Sequence, residues 1–269
     1  ETSHGGVTIT QVRVTTQEAA QRLGKPMGRY VTVEAPMLRQ AAGDYFSLLC
    51  TLLSQVISQF WKEVDGATLV VGLGNGQITP DSIGPQTIEN TLVTRHLVEQ
   101  MPEQFAGQME SVCAFCPGVL GVTGMESGDM LRGVIRQIKP RRLLAIDALC
   151  AQRVSRLGNR RMELSEKTLG IPVLAVGVPT VVDGATLTCD LLEKVQTLLG
   201  DDIPALSGLD MERHYSQLAQ ALGTLEANLM VTPKEVDDLT DQCGKLLGTS
   251  ISLALQPTME LEDILHLMS

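Results

Sequence analysis

Three aspartates each follow a run of apolar residues. "ATLVVGLGN" leads into "TPDSIGP" and Asp81, "RRLLAI" leads into Asp147, and "IPVLAVGVPTVV" leads into Asp183. A carboxylate beside an apolar core is costly unless something offsets its charge. Two carboxylates close enough to share a proton cannot both ionise, so one stays protonated while the other accepts. Such a pair can activate a water and protonate a leaving amide nitrogen without a metal ion. The three aspartates are not equivalent. Asp183 precedes Gly184, a common turn pair, and Asp81 stands where the N-cap of a following helix would stand. Asp147 ends four apolar residues and runs on into "ALCA", with no turn signal to explain it. Its ordinary alternative is a buried carboxylate bonded to neighbouring amides. Asp81 and Asp147 are the expected pair.

The remaining motifs point away from other chemistries. "GLGNGQITPDSIG" has neither GxGxxG spacing nor a GK[ST] ending, so Gly72, Gly74 and Gly76 are expected to shape a tight turn rather than cradle a phosphate. No GxSxG is present, and of four histidines only His96 falls among the α/β elements. Beside Arg95 on a helical stretch, His96 reads first as a surface or capping residue, and otherwise as part of the site's electrostatics. Cys113 and Cys116 form a single CxxC inside an apolar run. A zinc site would need a second pair, and a redox site would open a helix, so both are read as reduced strand residues and no metal or cofactor is expected.

These residues need a scaffold, and the apolar periodicity supplies one. "VTITQVRV" and "RYVTVEA" alternate at period two and predict N-terminal strands. Residues 38–62 carry apolar residues at helical spacing. "ATLVVGLG" reads as a strand buried on both faces. "GPQTIENTLVTRHLVEQM" then predicts a helix entered through Pro85. "MESVCAFCPG", "RRLLAID" and "IPVLAVGVP" predict further strands, with helices at "SGDMLRGVIRQI" and Leu187 to Leu199 between or after them. Strands separated by helices imply a largely parallel sheet covered on both faces. Helices at 209–222 and 233–254, with no further strand, complete the reading. The expected fold is α/β: one domain over 1–269, with N-terminal strands in 1–36, an α/β core in 37–200 and a helical extension in 201–269. In such sheets sites gather beyond the carboxyl ends of the strands.

Composition sets the outer limits. At 269 residues and 43% hydrophobic content the chain can build a sizeable core, and with 3% aromatics that core is expected to be aliphatic and methionine-rich. A net charge of −10 argues against nucleic-acid binding, which needs clustered cations. No 18-residue apolar run or signal peptide is visible, so the expectation is a cytoplasmic protein with no membrane partner.

Taken in order, "VVGLGN", "TPDSIGP", "LVTRHL", "PGVLGVTGMES", "AIDALCA", "ELSEKTLGIPVLAVGVPTVVDGATLT" and "NLMVTPKEVD" form a specific set. With them the chain resembles the spore germination proteases, the GPR endopeptidases of endospore-forming Firmicutes, over nearly its whole length. The resemblance implies an atypical aspartic endopeptidase that opens small acid-soluble spore proteins in the spore core. It also implies an inactive precursor that trims itself, and a homotetramer. The family's proposed catalytic aspartates fall on Asp81 and Asp147. Gly74, Asn75, His96, Glu126 and Asp183 lie in the same blocks and are the supporting candidates. The implied fold is an α/β/α sandwich like that of the hydrogenase maturation endopeptidases, in which a GxGN turn aims one carboxylate towards another. Two alternatives stand beside this reading: a carboxylate metal-site hydrolase or maturation factor using Asp81, Asp147 and His96, and an inactive binding homologue. By the same resemblance the chain is shorter than the family near Leu157, close to the site, which bears on activity, and it is shorter again over Asp201 to Gly223.

Overall fold

A computed structural model describes residues 1–38, 43–61, 66–151, 169–199, 217 and 229–268. Two sheets organise them. β1 (Thr2–His4), β2 (Val7–Val14) and β3 (Gly28–Glu34) form an antiparallel sheet in sequence order, with α1 (Gln17–Leu23) in the β2–β3 connection. The second sheet has five strands: β4 (Thr68–Gly72), β5 (Val112–Phe115), β6 (Arg142–Ala151), β7 (Val173–Asp183) and β8 (Met230–Val231). Their order is β5-β4-β6-β7-β8, parallel except for β8 against β7. The connecting helices are α2 (Asp44–Phe60), α3 (Ile83–Glu89), α4 (Arg95–Gln100), α5 (Pro102–Phe105), α6 (Leu120–Thr123), α7 (Ser127–Ile138) and α8 (Gly184–Leu199). Two C-terminal helices, α9 (Val236–Leu255) and α10 (Leu261–Met268), follow.

The cores show why the apolar strands read as continuous runs. Val70, Leu144 and Ile146 face one side of the sheet, against Ile57, Ile83 and the α9 residues Cys243, Leu247 and Ile251. Leu69, Val71, Leu143 and Ala145 face the other side, against Leu131 of α7. Alternate residues thus enter opposite cores, and both must be apolar. The N-terminal sheet buries Val7 and Ile9 against Leu49, Cys50 and Leu52 of α2 and Leu246 of α9.

Several expectations change. The helix predicted through "GPQTIENTLVTRHLVEQM" is two, α3 and α4, because Thr94 turns its backbone N–H to the Val112 carbonyl at 3.0 Å and leaves the helical ladder. A further strand does exist in the last third, the short β8. β6 and β7 run past their predicted ends, since each continues to pair with the other after β4 has stopped. Cys113 lies in β5, but Cys116 lies one residue beyond it. The buried core is mostly aliphatic, with Trp61 and four cysteines but no buried methionine among the described residues; Met27, Met37, Met101, Met125 and Met230 are exposed. Close-packed sheet faces take branched side chains with few rotamers, and the flexible methionines fall outside them. The shortened segment near Leu157 lies outside the described residues, as does the helix expected at 209–222, apart from Gln217.

Candidate active site

β4 ends in glycine for a steric reason. A Cβ on Gly72 would overlap the backbone of Gly84, and one on Gly84 would overlap the Leu73 carbonyl. The strand end and the first turn of α3 therefore touch backbone to backbone, which only glycine permits. Between them the chain makes a compact loop. Gly74 has φ +106°, and a Cβ there would overlap the Asp81 carbonyl. Asn75 Oδ1 accepts from the Gln77 N–H at 3.0 Å, the Ile78 N–H donates to the Asn75 carbonyl at 3.0 Å, and the Asp81 N–H donates to the Ile78 carbonyl at 2.8 Å.

Asp81 closes a single 3₁₀ turn, Thr79–Asp81, and is not the N-cap of α3, a position held by Ser82 without a side-chain capping bond. Its Oδ2 instead accepts from the Asn75 N–H at 2.8 Å, six residues back. The carboxyl group is half-buried, and burial holds its pKa above the usual carboxylate value, with the Asn75 N–H pulling the other way. Two bonds fasten this loop to the sheet. The Leu73 N–H donates to the Ile146 carbonyl at 2.8 Å, and the Thr180 hydroxyl donates to the Pro80 carbonyl at 2.5 Å. The turn carrying Asp81 thus contacts both β6 and β7.

Asp147 does not end its strand. It sits within β6, opposite Gly177 of β7, and four more residues follow it before the strand stops. What does end there is β4, whose last pairing is Gly72 with Ile146. Asp147 is therefore the first β6 residue beyond the cover of β4, at the point where the glycine loop departs. It is partly buried, and alternation places it on the sheet face of Leu143 and Ala145.

The supporting candidates divide. Gly74 and Asn75 belong to the Asp81 loop. Asp183, the last residue of β7, accepts from the Thr186 N–H at 2.8 Å and from the Thr186 hydroxyl at 2.8 Å, the pattern of an N-cap on α8. His96 is exposed on α4, where Arg95 pairs with Glu99 at 2.7 Å. Glu126 holds the N-cap position of α7 without a side-chain capping bond and lines a shallow cleft with Leu120, Met125 and Met130. None of the six cysteines is joined in a disulfide, and the Cys113 thiol, pushed up by burial, donates to the Thr68 carbonyl at 3.5 Å. Among the described residues no three His, Cys, Asp or Glu side chains gather as a metal ion would require. Thr180 had no sequence signal, because its contact with Pro80 spans a hundred residues.

Comparison with known proteins agrees with the motif set. The family model for germination protease matches residues 1–207. A germination protease of Clostridium tetani is 39% identical over 289 aligned positions, covering 98% of this chain and 90% of its own. That of Caldanaerobacter subterraneus subsp. tengcongensis is 37% identical, covering 99% and 91%. That of Bacillus subtilis is 36% identical over 321 aligned positions, covering 98% and 87%. The last alignment exceeds the 269 residues of the chain, so this relative carries segments with no counterpart here. No helix among the described residues is long and apolar enough to cross a membrane. The chain belongs to the germination protease family and is, as a member of it, a protease.

Proposed function

We propose that this protease is an endopeptidase that opens small acid-soluble spore proteins in the spore core, using Asp81 and Asp147 as its acid and base. One observation carries the assignment. The loop that holds Asp81 is bonded to the carbonyl of Ile146, the residue before Asp147, at the carboxyl edge where α/β sheets gather their sites. Asp81, with its raised pKa, keeps a proton at a pH where an ordinary aspartate has lost it. It is the acid. Asp147 is the base: it takes a proton from a water as the water oxygen bonds to the scissile carbonyl carbon. Asp81 hydrogen-bonds the developing oxyanion and then gives its proton to the amide nitrogen as the C–N bond breaks, leaving a carboxylic acid and an amine; the proton held by Asp147 passes back to Asp81 and restores the pair. The family resemblance adds the comparison with the hydrogenase maturation endopeptidases, in which a GxGN turn such as GLGN orients one carboxylate towards the other. The homotetramer and the self-trimming precursor are parts of the same reading, drawn from the family resemblance.

The test is direct. The purified chain, incubated with a small acid-soluble spore protein, should yield discrete internal cuts mapped by mass spectrometry. Cleavage should persist in a chelator and vanish in both Asp81→Asn and Asp147→Asn. Loss of activity in chelator, restored by one divalent metal, would instead favour the carboxylate metal-site reading. An unmodified chain that binds the substrate without cutting it would favour the inactive homologue.

A further inference from the structure

Helix α9 lies beyond residues 1–207, the span matched by the family model, yet it packs against the elements that hold Asp81. It contacts α3 along that helix and also the Thr79–Asp81 turn itself. The seam is unusually close. Gly244, Gly248 and Ser252, four residues apart, share one face of α9. A Cβ on Gly248 would overlap the Asn90 carbonyl at the end of α3. One on Gly244 would stand 2.7 Å from the Gln86 Cβ, in the middle of α3. One turn further on, the Ser252 hydroxyl accepts from the Leu92 N–H at 2.9 Å while donating to the Gly248 carbonyl at 2.7 Å. The other end of α3 is held as tightly, by the backbone contact between Gly72 and Gly84. α3 is only seven residues long, so it has little freedom between these two anchors.

From this geometry we infer that Gly248 and Ser252 of α9 are positioning residues for Asp81. By fixing where α3 ends, while Gly72 and Gly84 hold its beginning, they set the place of the turn immediately before it, and with it the Asn75–Asp81 hydrogen bond. The inference rests on the reading of Asp81 as catalytic only for its effect on rate. Its effect on the loop is separate. Substituting Gly248 pushes α3 away from α9, and a rigid seven-residue helix passes that displacement to its own N-terminus.

The experiment compares two faces of α9 in the full chain. Gly248→Ala and the milder Ser252→Ala alter the seam with α3. Leu246→Ala alters the opposite face, which packs on Leu49 and Val7 and away from the Asp81 loop. The backbone amide of Asn75 reports the loop in a ¹H–¹⁵N correlation spectrum, because that N–H is bonded to the Asp81 carboxylate. Its resonance should move in both seam variants and hold its place in Leu246→Ala, although the last removes a buried side chain and lowers the thermal midpoint. With a small acid-soluble spore protein as substrate, Gly248→Ala should lose about tenfold in kcat with little change in KM, as expected when a group acting in the transition state is displaced. An Asn75 resonance unmoved in the seam variants, or moved equally in Leu246→Ala, overturns the inference. If Gly248→Ala fails to fold, Ser252→Ala carries the test. Movement of the Asn75 resonance in a chain that cleaves nothing supports the positioning role and refutes the endopeptidase reading.

Discussion

Asp81 and Asp183 stand in similar local sequence, each at the junction between a strand and a helix, yet their carboxylates meet different donors. Asp183 takes the N–H and hydroxyl of Thr186 in the first turn of α8. The aligned peptide dipoles at that helix end favour its negative charge, and the group is used up in capping. Asp81 turns away from its own helix and accepts one N–H from a loop residue six positions earlier. Burial then outweighs that single bond, and the pKa rises. A carboxylate becomes available for proton transfer when the backbone around it withholds the donors that would settle its charge.

The sharpest way to break this contrast is Asp81→Asn. Asparagine keeps the shape and can still accept from Asn75, but it cannot exchange a proton, so cleavage should fall by about a thousandfold, within the range for loss of a general acid. Stability should move the opposite way. A carboxyl group whose folded pKa lies above its unfolded value favours folding fully below the unfolded pKa. That contribution is lost as pH rises through the folded value, and the charged group is a liability above it. The Asn variant should therefore unfold at the same or a higher temperature near pH 7, and a clear fall in its midpoint would contradict this account of Asp81. Activity of the unmodified protein should likewise decline as pH rises past the raised value, measured as kcat/KM against pH; a flat alkaline limb would remove Asp81 as the acid.

Gly74→Ala comes next. Its φ of +106° is strained for alanine, and the added methyl would overlap the Asp81 carbonyl. Destabilisation of about 1–3 kcal/mol is expected, together with a large loss of cleavage, because the strain falls on the loop that holds the proposed acid, Asp81. Retained activity at reduced stability would show that the loop tolerates displacement.

Asp183→Ala should cost about 1 kcal/mol of stability through the lost cap and leave kcat/KM within about threefold of the parent. Loss of cleavage without loss of stability would place Asp183 beside Asp81 as a site residue and dissolve the contrast. The smallest effect belongs to Cys113→Ser combined with Cys116→Ser. Both thiols are free and one is buried in β5, so the protein should fold and cleave substrate; an inactive, folded double variant would restore the CxxC to the chemistry.

The apolar runs and the helical spacings between them were enough for a parallel α/β sheet, because side-chain burial on two faces demands a pattern that periodicity can read. The ordered motif blocks were enough for the family. The glycines of "GLGN" and "DSIGP" were legible as turn residues, but their partner contact, Gly72 on Gly84, needed the folded loop. The chain alone preferred Asp81 to Asp183 for the pair, although both read as candidate helix caps or turns. Only the tertiary structure showed what each carboxylate meets. Asp81 accepts from a loop N–H, its turn is fastened to Thr180 a hundred residues away, and its helix is held by Gly248 and Ser252. Strand and helix periodicities report which face a residue occupies within its own element. They carry no information on which distant donor reaches a carboxylate, and that donor decides whether its charge is settled or left to do chemistry.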